Sequence, residues 1–146
     1  MKALSVRQPW ASLIAEGTKT VEVRSWRTDY HGPLVICASA RFDCGFAGLQ
    51  AEARTFPLGV AVCLVQLIDV VPMVAALHAT AANPLDPPQE VLAEPVDGLF
   101  AWLLGSPQVI SPQFPVRGKL HLFDINIPPD TRLEHPEKYY AYLQSA

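Results

Sequence analysis

Cysteine, long apolar runs and clustered metal ligands are all scarce in this chain, and each scarcity excludes something. Three cysteines, Cys37, Cys44 and Cys63, form an odd set with no Cys-x-x-Cys spacing, so reduced thiols are expected rather than a disulfide framework. His31, His78, His121 and His135 are scattered, and no His-Glu-x-x-His occurs. A zinc site needs closely spaced ligands, so no metal and no cofactor are expected. The longest apolar run, Gly59 to Val71, is broken by Gln66 and Asp69 and is too short for a bilayer. The N-terminus has no apolar signal-peptide core. A soluble, cytoplasmic protein with no membrane partner is the expectation.

Basic residues are missing from one long stretch. Residues 55–116 contain no Lys or Arg but hold Asp69, Asp86, Glu90, Glu94 and Asp97. Residues 1–54 carry seven bases against five acids, and 117–146 balance four against four. The net charge of -3 argues against a protein coated in nucleic acid, yet an anionic ligand is expected to meet the basic N-terminal third. With 146 residues, 50% hydrophobic and 17% charged, the chain reads as one domain, 1–146, with ample material for a core.

Lys2 to Val6 reads as a strand, followed by a helix from Pro9 to Glu16 that Gly17 ends. Trp10, Leu13 and Ile14 share the expected buried face of that helix. A strand from Thr20 to Trp26 comes next, joined by a hairpin through Asp29 to Pro33 to the apolar strand Leu34 to Ala38. Phe42 to Arg54 reads as a helix despite Gly45 and Gly48. Gly59 to Val71 reads as a long central strand stopped by Pro72, and Met73 to Ala82 as a short helix. Asn83 to Gly98 is an acidic, Pro-rich loop. Leu99 to Leu104 and Lys119 to Ile127 read as strands, and Pro136 to Gln144 as a last helix whose Tyr139, Tyr140 and Leu143 suit a protein partner. The fold class expected is α+β, a small mixed β-barrel with a few flanking helices.

The chain is organised around Ser5 to Trp26, SVRQPWASLIAEGTKTVEVRSW. Strand parity aligns Thr20, Glu22, Arg24 and Trp26 on one face and Val21 and Val23 on the other. Gly17 to Arg24 spells Gly-x-Lys-x-x-Glu-x-Arg after Gln8-Pro9-Trp10-Ala11. These motifs resemble the ASCH domain family, whose fold is similar to the PUA domains of RNA-modifying enzymes. Trp26, His31-Gly32-Pro33-Leu34, Ala38-Ser39, Phe100-Ala101-Trp102 and Pro115-Val116-Arg117-Gly118 extend the resemblance over residues 1–127, leaving 128–146 as a tail. Where many relatives have His-Ala-Ser, this chain has Cys37-Ala38-Ser39.

The resemblance turns an ordinary strand ion pair, Glu22 with Arg24, into one wall of an expected cleft shared with Lys19 and Trp26. It implies binding of RNA or a nucleotide, with phosphate on Lys19, Arg24 and Arg27, a base stacked on Trp26, and its edge read by Glu22 or Gln8. Arg7 and Arg117 are further candidates for phosphate, since a guanidinium pairs bidentately with it. Trp102 and Trp10 read as core residues, and Cys37 and Ser39 have no acid or histidine placed to activate them. The alternative is a hydrolase, a ribonuclease or modified-nucleoside hydrolase, with Glu22 as base and Lys19 stabilising negative charge. Some relatives hydrolyse an acylated cytidine with a lysine and a threonine three residues later. Here Glu22 stands in that threonine's position, and a carboxylate substitutes poorly for a hydroxyl nucleophile. A third reading is a protein-interaction module working through the C-terminal tail.

Overall fold

A computed structural model describes residues 1–43, 56–74, 77, 81 and 95–136. Strand β1 (Lys2–Gln8) leads into helix α1 (Trp10–Ala15), and the rest of the described chain is dominated by strands. These are β2 (Val21–Arg24), β3 (Gly32–Phe42), β4 (Val60–Val74), β5 (Pro95–Ser111), β6 (Phe123–Asp124) and β7 (Arg132–Glu134). They form one seven-stranded sheet ordered β2-β5-β4-β3-β1-β6, with β7 pairing β5 away from that path.

The centre of the sheet is buried on both faces, as the unbroken apolar run at Leu34 to Ala38 leads one to expect. Leu4, Val6, Leu34, Ile36 and Ala38 enter one core cluster with Val62, Val65 and Trp102. Ala3, Val35 and Cys37, at the alternate positions, enter a second cluster with Ala61 and Ile110. Helix α1 covers the first cluster but turns a different face inward from the one its spacing suggests. Ala11, Ser12, Ile14 and Ala15 are buried, whereas Trp10 and Leu13 are only partly so. The cause is Gln8, whose Nε2 donates to Ser12 Oγ at 2.9 Å and whose Oε1 accepts from Ser12 N at 2.9 Å. That buried pair draws Ser12 inward, and two alanines on either side let the helix lie close to the sheet. Gly17 then ends the helix with φ +83°, a conformation that favours glycine.

Several expectations need correction. No hairpin joins β2 to β3, because both edges of β3 are taken, by β1 in parallel and β4 antiparallel. β2 pairs instead with β5, Glu22 opposite Trp102 and Arg24 opposite Phe100. β4 does not stop at Pro72 but continues to Val74, because the ladder shifts register between those residues and so tolerates a missing donor. β5 is far longer than Leu99 to Leu104 and takes in the Pro95–Gly98 end of the supposed loop. The strand expected over Lys119 to Ile127 contracts to Phe123–Asp124, since only Lys2 and Ala3 of β1 receive it. β7 was not anticipated at all.

The helix expected over Met73 to Ala82 begins as strand at Met73 and Val74, while Leu77 and Ala81 are helical. Its other residues, most of Phe42 to Arg54, residues 83–94 of the acidic loop and the tail beyond Pro136 lie outside the described residues. Among the described residues no helix is long and apolar enough to cross a membrane.

The sheet is not closed into a barrel, since β1 and β2 do not pair. They nevertheless approach one another. Three strands separate them in the sheet order, which in a flat sheet puts them roughly 19 Å apart. Yet Arg24 Nη2 donates to the Ser5 carbonyl at 2.8 Å. The sheet is therefore strongly curled, and a side chain bridges its open side.

Candidate functional site

That open side is a cleft of about 1200 Å³. Ser5 and Arg7 of β1 form one wall, and Glu22, Arg24 and Trp26 in and after β2 form the other. The end of β3 contributes Ser39 and Arg41, and the segment from Val116 to His121 crosses the opening. This segment is tied down at its start, where Val116 N donates to Gly59 O at 3.0 Å and Pro115 bridges Val60. Gly118 then passes so close to β1 that a Cβ on it would lie 2.7 Å from Ser5 Oγ. A side chain there would require the Ser5 hydroxyl or the crossing segment to shift.

The floor is a buried chain of charge, with Lys19 only 3% and Glu22 8% exposed. Lys19 Nζ donates to the carbonyls of Val21 at 2.5 Å and Ala81 at 2.9 Å, and lies 3.7 Å from Glu22 Oε1. It also stands 5.3 Å from the centre of the Trp10 ring, within cation–π range. Burial pushes the Lys19 ammonium below its ordinary range, an effect that the Glu22 carboxylate partly offsets. Glu22 in turn accepts from Val23 N at 3.1 Å and from Arg24 Nη2 at 3.2 Å. Lys19 and Glu22 therefore direct their bonds into the protein and at one another, and Arg24 links the pair to Ser5.

The rim carries the opposite character. Arg7, Arg41, Arg117 and Lys119 are exposed, border the cleft, and have no ion-pair partner among the described residues. Between them stands Trp26, its ring edge-on to Trp102 below and to His121 beside it, both at 4.7 Å between centroids. Trp102 is fully buried and donates its Nε1 to Trp26 O at 3.2 Å, so the core holds the outer tryptophan in position.

The cleft thus brings together Arg7, Lys19, Glu22, Arg24, Trp26 and Arg117 of the residues expected from sequence. Two others lie elsewhere. Gln8 is wholly buried, and its amide is engaged by Ser12 and by the Pro57 carbonyl at 2.8 Å. Arg27 faces solvent outside the cleft, 3.6 Å from Asp29. Arg41, Lys119 and His121 were missed. Arg41 shares the parity of Ser39, and Lys119 follows Arg117 at a spacing of two around a glycine, signals that a strand assignment for Lys119 to Ile127 concealed. Cys37 is buried in the second core cluster and Cys63 in the first, and burial pushes the Cys37 thiol up to about 12 and that of Cys63 further still. Ser39 Oγ donates to Arg41 O at 3.2 Å. Among the described residues, no three of His, Cys, Asp and Glu come together as metal ligands.

The ASCH domain profile matches residues 4–101. Over 136 residues the chain is 31% identical to activating signal cointegrator 1 of Homo sapiens and 29% identical to that of Mus musculus. Each alignment covers 84% of this chain but 22% of the relative, so the chain spans about a fifth of those proteins' length. Two crystal structures of single-residue variants of the Zymomonas mobilis protein ZmASCH share the fold, with TM-scores of 0.54 and 0.52 at 15% identity. They cover 97% of this chain and 95% and 94% of theirs.

Proposed function

The chain belongs to the ASCH domain family, and on that footing we propose that its cleft binds single-stranded RNA or a nucleotide. The observation that carries this reading is the rim: four exposed cations with no ion-pair partner among the described residues, around one half-buried tryptophan, in a protein of net charge -3. Self-repulsion among clustered cations is relieved by an anion. A guanidinium pair grips phosphate oxygens in a plane, and a tryptophan face accepts any base.

The roles follow from what each group has left to offer. Arg7, Arg41, Arg117 and Lys119 meet the phosphates, and Trp26 carries a base. Arg24 contributes the part of its guanidinium not donated to Ser5 and Glu22. Lys19 acts indirectly, because its ammonium is already held by two carbonyls and a carboxylate. It sustains the positive field under the cleft and keeps Glu22 in place. Glu22 acts as the bridge between the two cations.

A hydrolase would ask Glu22 to take a proton and Lys19 to face a developing charge. Both groups line the cleft but spend their bonds on the protein, so that use would require at least one of those bonds to be broken. A partner for the C-terminal tail rests on residues outside those described.

The test is anisotropy of a labelled eight-nucleotide RNA across a salt series. Four phosphate contacts give a slope of log affinity on log salt of about -3. Arg7→Ala with Arg117→Ala should weaken binding at least tenfold and flatten the slope. Salt-independent affinity, or affinity untouched by that double variant, counts against the reading. So does turnover of RNA or of an acylated nucleoside that Glu22→Gln abolishes without loss of binding.

A further inference from the structure

We infer that Leu120 is a base-contacting residue, an apolar shelf for the nucleobase next to the one carried by Trp26. This rests on the proposed RNA reading and adds a second contact to it. A single exposed leucine ordinarily needs no explanation, but three observations set this one apart.

The first is its degree of exposure. Leu120 is 89% exposed, where the next large apolar side chain, Ile68, is 60%. The second is its setting. It borders the cleft between Lys119 and His121, so the most exposed large apolar side chain among the described residues lines the same cleft as the four cations.

The third is that its backbone is held at both ends. Gly118 abuts Ser5 on one side. On the other, Leu122 packs on the main core and Phe123 pairs with Ala3. Only Lys119, Leu120 and His121 lie between. His121 adopts φ +61°, uncommon for a residue with a side chain, and sets its ring against Trp26. The turn at His121 therefore directs its own ring to the tryptophan and leaves Leu120 in water.

A cation, an apolar side chain and an aromatic pair in one short span match the parts of a polynucleotide strand: phosphate, base face, base face. Apolar side chains serve as wedges against unstacked bases in other nucleic-acid complexes, and single strands offer base faces without the cost of opening a duplex. The charge of the surrounding rim selects this occupant over an apolar peptide.

The probe is an eight-nucleotide RNA carrying one 2-aminopurine, moved through the sequence one position at a time, with wild type, Leu120→Ser, Leu120→Met and Arg117→Ala. Leu120→Ser should weaken binding about five- to tenfold, leave the salt slope unchanged, and abolish the fluorescence change at one position. Leu120→Met should retain affinity, whereas Arg117→Ala should lower the magnitude of the slope by about 0.7. A melting curve for Leu120→Ser matching wild type excludes a folding defect. RNA binding by wild type that Leu120→Ser leaves intact overturns this inference while the cleft reading stands. Absence of RNA binding by wild type overturns both.

Discussion

Arg24 and Ser5, on strands that never pair, are joined by a 2.8 Å hydrogen bond from the guanidinium to the backbone carbonyl. The bond is available because β6 covers only Lys2 and Ala3 of the β1 edge, so Ser5 is beyond its reach. One arginine thus bridges the open side of the sheet and joins Glu22 at 3.2 Å. Separation of the walls of the cleft and burial of its charges depend on the same side chain.

Arg24→Ala should therefore cost about 2 kcal/mol, the sum of a charge-assisted hydrogen bond and a half-buried ion pair. Arg24→Lys should recover little of it, because an ammonium cannot span Ser5 and Glu22 with the same fork. Urea unfolding measures this, and a loss below about 0.5 kcal/mol in the alanine variant would remove the bridge from the account.

Lys19 and Glu22 are expected to behave as a coupled pair. Glu22→Gln takes the carboxylate from both Lys19 and Arg24, whereas Lys19→Met leaves Glu22 paired with Arg24 alone, so the Lys19–Glu22 interaction is the part by which the double variant departs from the sum of the two. A double-mutant cycle should give a coupling of about 1 to 3 kcal/mol. In RNA binding at a temperature where all variants stay folded, Lys19→Met should lose less affinity than Arg117→Ala. The reverse order would mean that the ammonium reaches the ligand directly.

Gly118→Ala should destabilise through its approach to Ser5, by about 1 kcal/mol. Ser5→Ala in the same chain should relieve most of this, since removing the hydroxyl leaves the Ser5 Cβ as the nearest atom, at 3.3 Å. Thermal melts of the two single variants and the double variant read the effect. Simple additivity would show that the close approach carries no energy.

The thiols predict a loss of stability in alkali. Burial raises both above the ordinary value of 9.0, Cys37 to about 12 and Cys63 further. The unfolded chain then releases protons that the folded one keeps, so stability is full below pH 9 and falls as the pH rises through the window above it. The slope is roughly 1.4 kcal/mol per pH unit for each thiol. Lys19, shifted downward, contributes with the opposite sign below its ordinary value. The thiol term is therefore read by comparing wild type with Cys37→Ala plus Cys63→Ala between pH 8.5 and 10.5. Parallel profiles would refute it.

Local pattern determined a good part of this protein. The strand at Lys2, the helix closed by Gly17, the parity of Glu22 and Arg24, and the doubly buried run at Leu34 to Ala38 all follow from local pattern and from glycine's access to positive φ, whereas the strand expected over Thr20 to Trp26 contracts to Val21–Arg24 and leaves Trp26 beyond it. The motif from Gly17 to Arg24, together with the later stretches from Trp26 to Gly118, was also enough to mark the family.

Tertiary structure decided the rest, because the remaining choices are made between segments far apart in the chain. Which edge β2 joins depends on β3 having none to offer, and no feature of Val21 to Arg24 records that. Lys19 reads in sequence as a lysine free to project, but Ala81, sixty-two residues away, supplies the carbonyl that helps hold it inside. Gln8 reads as a polar reader of bases until Ser12 and Pro57 claim its amide. Lys119 and His121 look like strand residues, yet the ladder along β1 ends at Ala3 and frees them to cross the cleft. Periodicity reports which way a side chain points from its own backbone. Only the curl of the whole sheet, which brings Arg24 to Ser5, determines what it meets there.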